Sequence, residues 1–171
     1  PGTTTVLDDK PLVPPMWGEN CAGGSDFAGV VSDGTDGAAA FIYDKDGAKA
    51  RKSWFCCGDL MVCLGAGIES GRADGPVMTV VDQTWARGLA PGSRGSVSAF
   101  HNGGVGYQLL SPAQVEVLDG DVLLLTIDHG KAPKDASYAY AVRTAVSKKA
   151  FEKALKEQEF EILANTPDLQ A

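Results

Sequence analysis

Three carboxylates stand on glycine-rich stretches near the start of the chain. Glu19 lies in Trp17-Gly18-Glu19-Asn20, Asp26 in Gly23-Gly24-Ser25-Asp26-Phe27, and Asp33 in Val31-Ser32-Asp33-Gly34. Hard oxygen ligands on adaptable loops suit calcium, which accepts several carboxylate and backbone carbonyl oxygens at once. The competing reading is ordinary turn chemistry, each Asp capping its own loop, and the spacing is not that of an EF-hand. A second group is basic: Lys49, Arg51 and Lys52. It reads either as a contact for an anionic sugar or as the solvated end of a strand. Flat rings for sugar stacking would come from Trp17 and Trp85, since Trp54 sits in an apolar run and is expected to be buried.

Catalytic constellations are harder to draw. His129 follows Asp128 and His101 precedes Asn102, but neither stands near a nucleophile elbow. Both histidines read as hydrogen-bonded loop residues. Carboxylate pairs for glycoside hydrolysis could be drawn from many Asp residues, so no pair is singled out. Gly65, Gly67 and Gly71 resemble a nucleotide loop only superficially, because a turn at Arg72–Pro76 replaces the required helix. The cysteines are Cys21, Cys56, Cys57 and Cys63. They lack the paired spacing of a zinc ribbon and read as small buried hydrophobes, with a Cys56–Cys63 or Cys57–Cys63 bridge across a hairpin left open.

Any such residues must be positioned by short strands. The chain has 171 residues, 44% of them hydrophobic, the length of one domain with enough apolar content to bury a core. Of its 22 acidic residues, five Asp directly precede Gly: Asp33, Asp36, Asp46, Asp74 and Asp119. Asp-Gly favours tight turns because both residues tolerate positive φ, and Asn102-Gly103 adds another. Between these marks lie apolar runs of strand length at 27–32, 38–44, 50–57, 60–64, 77–83, 96–101, 105–110, 122–128 and 137–144. That pattern predicts an all-β, antiparallel β-sandwich. Ser53–Cys57 and Leu60–Leu64, linked by Gly58-Asp59, are apolar on both strand faces, so something must cover each side. A single short C-terminal helix is expected from Ser147 to about Glu157, with Phe151, Ala154 and Leu155 on its apolar face. Glu159–Ala164 reads as one more strand, and the proline-rich start, Pro1 to Pro15, as a crossing segment.

Charge and hydropathy narrow the partners. A net charge of −7 opposes unaided binding to nucleic acid or an anionic membrane. No apolar run is long enough to span a bilayer, and the chain opens without a signal-peptide pattern. A soluble, acidic, loop-rich protein is expected.

Several blocks resemble a known family. Trp17-Gly18-Glu19, Asp26–Gly34, Ala50-Arg51-Lys52-Ser53-Trp54-Phe55 and Val62–Ile68 are similar to the central β domain of the hyaluronate and chondroitin AC lyases, polysaccharide lyase family 8. Val80–Thr84, His101–Leu110, Ile127-Asp128-His129-Gly130, Ala136–Ala141 and Leu163–Ala171 follow in the family's order. The resemblance implies a supersandwich fold and a parent enzyme that cleaves uronic-acid polysaccharides by β-elimination. In such enzymes an α/α toroid precedes the supersandwich and carries the catalytic Asn, His, Tyr and Arg, and a smaller β domain follows. Neither those motifs nor the supporting Glu motif of the sandwich is present, so no catalytic residue is assigned and His101 and His129 are not promoted.

Residues 1–171 are therefore expected to be one domain, a fragment without toroid or C-terminal β domain, inactive alone and forming part of the substrate cleft in the parent. The stretches 83–101 and 115–121 look shorter than in the family. The resemblance also raises the case for a metal, calcium, at Glu19, Asp26 and Asp33. Lys49, Arg51, Lys52 and Trp85 are the candidate carbohydrate contacts. The expected partners are a uronic-acid polysaccharide and a docking toroid, with no nucleic acid and no membrane, in an extracellular or periplasmic parent. The alternatives are a stand-alone carbohydrate-binding module and a structural or interaction domain without a ligand.

Overall fold

The computed structural model describes residues 2–8, 23–118, 121–157 and 159–171. Among these the chain forms ten strands and one helix. The strands are β1 (Thr3–Val6), β2 (Ala28–Ser32), β3 (Gly37–Lys45), β4 (Ala48–Cys57), β5 (Leu60–Ser70), β6 (Pro76–Trp85), β7 (Arg94–Asn102), β8 (Val105–Leu118), β9 (Val122–Lys131) and β10 (Ala136–Arg143). The helix α1 spans Lys148–Ala154, capped by Ser147, whose Oγ accepts from the Ala150 amide. Nine of the ten strands expected from the sequence form. Two expectations need correction. Thr3–Val6 is a strand rather than a crossing segment, because the prolines lie outside this β-branched run and leave its amides free to pair with β6. Residues 159–164 join no sheet.

Every strand pairing is antiparallel, in the order β1-β6-β9-β8-β10-β5-β4-β3-β2, with β7 also on β8. The sheet curls back on itself through β8. Residues Gly106–Leu109 pair with β10, whereas Gln114–Leu118 pair with β9. Between them Val97 faces Ala113 but Ala99 faces Gln108, so the stretch through Pro112 bulges away from β7. Pro112 has no amide to donate, which suits a strand changing partners there. β8 continues through Leu118.

Curling sets two half-sheets face to face. The main core joins Ala48, Ala50, Cys63, Tyr138 and Tyr140 from one half to Val77, Val81, Leu123, Leu125 and Ile127 from the other. Residues of the other parity on β5 and β10, namely Val62, Leu64, Ala139 and Ala141, form a second cluster outside, covered by Phe160 and Ile162. That accounts for the two-faced apolar character of β5. One side meets the opposing half-sheet, and the other meets the segment after α1.

Two glycines are demanded by this packing. Asp46 (φ 53°) and Gly47 (φ 81°) form the two-residue link of the β3–β4 hairpin, a positive-φ pair matched to strand twist. Gly65 leaves the space that the Tyr138 ring fills, and a Cβ there would collide with that ring.

Candidate functional site

Alternation along β4 separates the basic residues grouped in the sequence. Lys49 and Arg51 face outward and are exposed, while Lys52 points into the sandwich and is 3% exposed. The candidate contact surface thus loses Lys52, whose parity puts it on the core side. There its Nζ donates to the Gly2 carbonyl and lies 5.0 Å from the centroid of the Tyr43 ring. Burial pulls its pKa down to about 8.

Outside, Lys49 and Arg51 border a cleft of about 460 Å³ with Asp26, Asp44, Glu69 and Lys134. Lys49 is engaged by Asp44 at 4.0 Å and Glu69 at 3.8 Å. Neither Arg51 nor Lys134 makes an ion pair among the described residues, and of the two Arg51 is the one fixed on the sheet. A bulge fixes its position: Lys49 faces Glu69 but Arg51 faces Ala66, with Gly67 at φ 58° absorbing the extra β5 residue. Arg51 also lines an adjoining apolar groove of about 590 Å³. Small residues Gly29, Ala38, Ala40 and Ser53 line this groove together with Phe27 and Phe55. Pro167 borders both spaces. The Gln170 side chain donates to the Arg51 carbonyl, tying the C-terminal residues to β4.

Of the expected calcium ligands, the two described, Asp26 and Asp33, are not brought together. Asp26 precedes β2 and Asp33 follows it, so the strand separates them by about 20 Å at roughly 3.3 Å per residue. Asp33 Oδ1 accepts from the amides of Thr35 (2.9 Å) and Asp36 (2.8 Å), which hold its pKa below the usual value. It is a turn cap, as the bland reading had it. Glu19 and Trp17 lie outside the described residues, as do Cys21 and Asp119. Among the described residues no three His, Cys, Asp or Glu side chains are grouped to hold an ion. Asp26 and Asp33 therefore do not fit one shared calcium site.

The remaining candidates are dispersed. Trp85 ends β6 in the other half-sheet, 62% exposed and away from Arg51 in the strand order. His101 Nε2 contacts the Val146 carbonyl at 2.9 Å, and His129 Nε2 contacts Thr79 Oγ1 at 2.8 Å. Both are structural contacts. Cys56, Cys57 and Cys63 are free thiols; Cys63 is buried opposite Trp54, so neither hairpin bridge forms.

One feature was not visible in the sequence. In β6, Val80 faces Thr126 whereas Asp82 faces Leu125, a bulge that breaks the alternation. It brings Asp82 to the Tyr107 hydroxyl, which donates to its Oδ2. A bulge depends on pairing between distant strands, and no local signal marks it.

A family model described as polysaccharide lyase family 8, super-sandwich domain, matches residues 1–121. The chain belongs to that family. The chondroitinase-AC of Pedobacter heparinus is 34% identical over 206 residues, covering 100% of this chain and 29% of the relative. A hyaluronate lyase of Thermasporomyces composti is 30% identical over 214 residues, covering 100% of this chain and 27% of its own length. A solved chondroitinase AC lyase, studied in enzyme–oligosaccharide complexes, superimposes with a TM-score of 0.80 at 31% identity, across 100% of this chain and 30% of that one. The chain thus spans less than a third of the length of these family 8 lyases. Its super-sandwich is the curled, ten-stranded sheet described above, and the Arg51 face lies on its outside. No helix among the described residues is long and apolar enough to cross a membrane.

Proposed function

We propose that this super-sandwich is the non-catalytic part of a longer polysaccharide lyase and lends the Arg51 face to its substrate cleft. The observation that carries the reading is the uncommitted Arg51 guanidinium between a polar cleft and an apolar groove. An arginine without a carboxylate partner can pair with a uronate, and neighbouring apolar residues suit the carbon face of a sugar ring. β-Elimination needs a positioned base for the C5 proton and charge neutralisation of the uronate. Here Lys52 is held in the core and each histidine serves a structural contact, so the domain supplies binding and leaves proton abstraction to the rest of the parent.

The same reading gives β2 a role. Val30 is 81% exposed and Val31 69%, an apolar edge suited to receive another domain of the parent, the expected toroid. It also carries an extracellular or periplasmic location, where uronic-acid polysaccharides are met.

Two measurements test it. The chain should release no ultraviolet-absorbing unsaturated product from hyaluronan or chondroitin, and turnover by it alone would end the non-catalytic reading. Calorimetry with uronic-acid oligosaccharides should show weak binding that Arg51→Ala lowers about tenfold, as for one lost charge-assisted contact. A second reading, a stand-alone carbohydrate-binding module, draws on the exposed Trp85. Binding weakened by Trp85→Ala and indifferent to Arg51→Ala would favour it.

A further inference from the structure

The two half-sheets do not close completely on each other. At one end a cleft of about 290 Å³ opens between β6 and the inner face of β4, β5, β8 and β10, lined by Trp54, Met61, Asp82, Val105, Tyr107 and Tyr140. Its size is at the lower end for ligand pockets, about 300–1,000 Å³, and suits one ring rather than a chain of them. We propose that this inter-sheet cleft binds a single uncharged pyranose ring, with hydroxyls on Asp82 and an apolar face on Trp54.

The polar element is unusual for a sandwich interior. Asp82 is turned toward the core side only because β6 bulges between Val80 and Asp82. Without the bulge the alternation would send it outward, and a bulge that re-aims a side chain is a recurrent feature beside functional sites. Its carboxylate is held in place by two donors, the Tyr107 hydroxyl on Oδ2 and the Gln83 amide on Oδ1 at 2.8 Å. Each carboxylate oxygen has a further lone pair for a ligand hydroxyl. Tyr140 borders the same space, and its ring is braced by stacking on Tyr138 with centroids 5.7 Å apart.

The ligand class follows from the rest of the lining. Trp54, half-buried on the opposite wall, offers the aromatic surface on which sugar rings stack, beside aliphatic Met61 and Val105. A negative charge inside the cleft, in a chain of net charge −7, disfavours a uronate or sulfated ring. A purely aliphatic guest would desolvate the carboxylate's remaining lone pairs and offer them no donor. Because Asp82 already shares its charge with two donors, hydroxyls match it better than a full cation. This site stands apart from the Arg51 face and does not depend on it.

Titration of the full chain with the methyl glycosides of glucose, galactose and mannose, followed by the Trp54 indole resonance in NMR, tests the proposal. The expected result is a saturable Trp54 shift with at least one glycoside, at least tenfold weaker binding of glucuronate, and about tenfold loss in Asp82→Asn. Absence of a saturable Trp54 shift with all three overturns it, as does tighter saturation by tetramethylammonium or unchanged binding in Asp82→Asn. Should Asp82→Asn not fold, Tyr107→Phe replaces it, and unchanged binding there counts equally against the site. Loss of oligosaccharide binding in Arg51→Ala bears on the outer face alone, so the two readings fail separately.

Discussion

Thr79 Oγ1 lies 2.8 Å from His129 Nε2 and, on its other side, 2.7 Å from Thr4 Oγ1. The relay ties β1, β6 and β9 together, and Thr4 and Thr79 are both fully buried. Burial pulls the His129 pKa down to about 4; Asp128 opposes the shift, and the nearby Lys52 adds to it. The folded state thus holds the ring neutral, while an unfolded chain protonates it near 6.5. Stability from this group is complete above pH 6.5, falls as the unfolded state takes up its proton, and is gone below about 4. Urea melts should lose about 2 kcal/mol across that window, after a discount for partial exposure. His129→Gln should flatten the loss. Equal acid sensitivity in wild type and variant would falsify the assignment.

Lys52 predicts a slope of the same sign in alkali. Its folded pKa of about 8 lies below the ordinary 10.5, so below pH 8 both states are charged and the burial penalty is paid in full. Between 8 and 10.5 the folded state sheds its proton first and stability rises, by up to about 3 kcal/mol from this group. Cys63 works against it above pH 9, since burial pushes its thiol up to about 12. The difference between wild type and Lys52→Met isolates the lysine. That difference should shift with pH between 8 and 10.5, and a constant offset would sink the idea.

The contrast between Lys52 and Arg51 also shows what the sequence could tell. Turn chemistry and apolar runs located nine strands, because a two-residue hairpin link and a period of two are local signals. The same period separates Lys52 from Lys49 and Arg51 by parity alone, so that division was legible in the chain. The β6 bulge at Asp82 and the bend of β8 near Pro112 arise from long-range pairing and left no local mark. Glu159–Ala164 misled for a different reason. Its Phe160 and Ile162 alternate like a strand, yet they pack face-on against β5 and β10, with no neighbouring strand to share a ladder.

Gly65→Ala should be costly for so small a change. Lys52, Gly65 and Tyr138 are successive cross-strand partners on β4, β5 and β10, and the Tyr138 ring occupies the space above Gly65. Tyr138 is 1% exposed and stacks on Tyr140, so it has little room to retreat. Overpacking of this kind costs about 1–3 kcal/mol. A Gly65→Ala/Tyr138→Leu double variant should recover part of the loss, giving a coupling that distinguishes this contact from a general backbone effect. Additive losses in thermal melts would contradict it.

The C-terminal segment makes the last prediction, because it holds one face of the sheet without belonging to it. Phe160 and Ile162 cover Val62, Leu64, Ala139 and Ala141. Asn165 Nδ2 donates to the Tyr138 carbonyl at 3.0 Å, and the Ala171 carbonyl accepts from Leu163 and Ala164, closing the segment into a loop. Neither residue is fully buried, so Phe160→Ala should cost about 2 kcal/mol, below the usual range for a fully enclosed phenylalanine. Ile162→Ala should cost about 1–2 kcal/mol by the same reasoning. Removing both exposes an apolar patch on β5 and β10, and light scattering should then show concentration-dependent association absent from wild type. A double variant that melts like wild type and stays monomeric would mean the segment rests on the sheet without holding it.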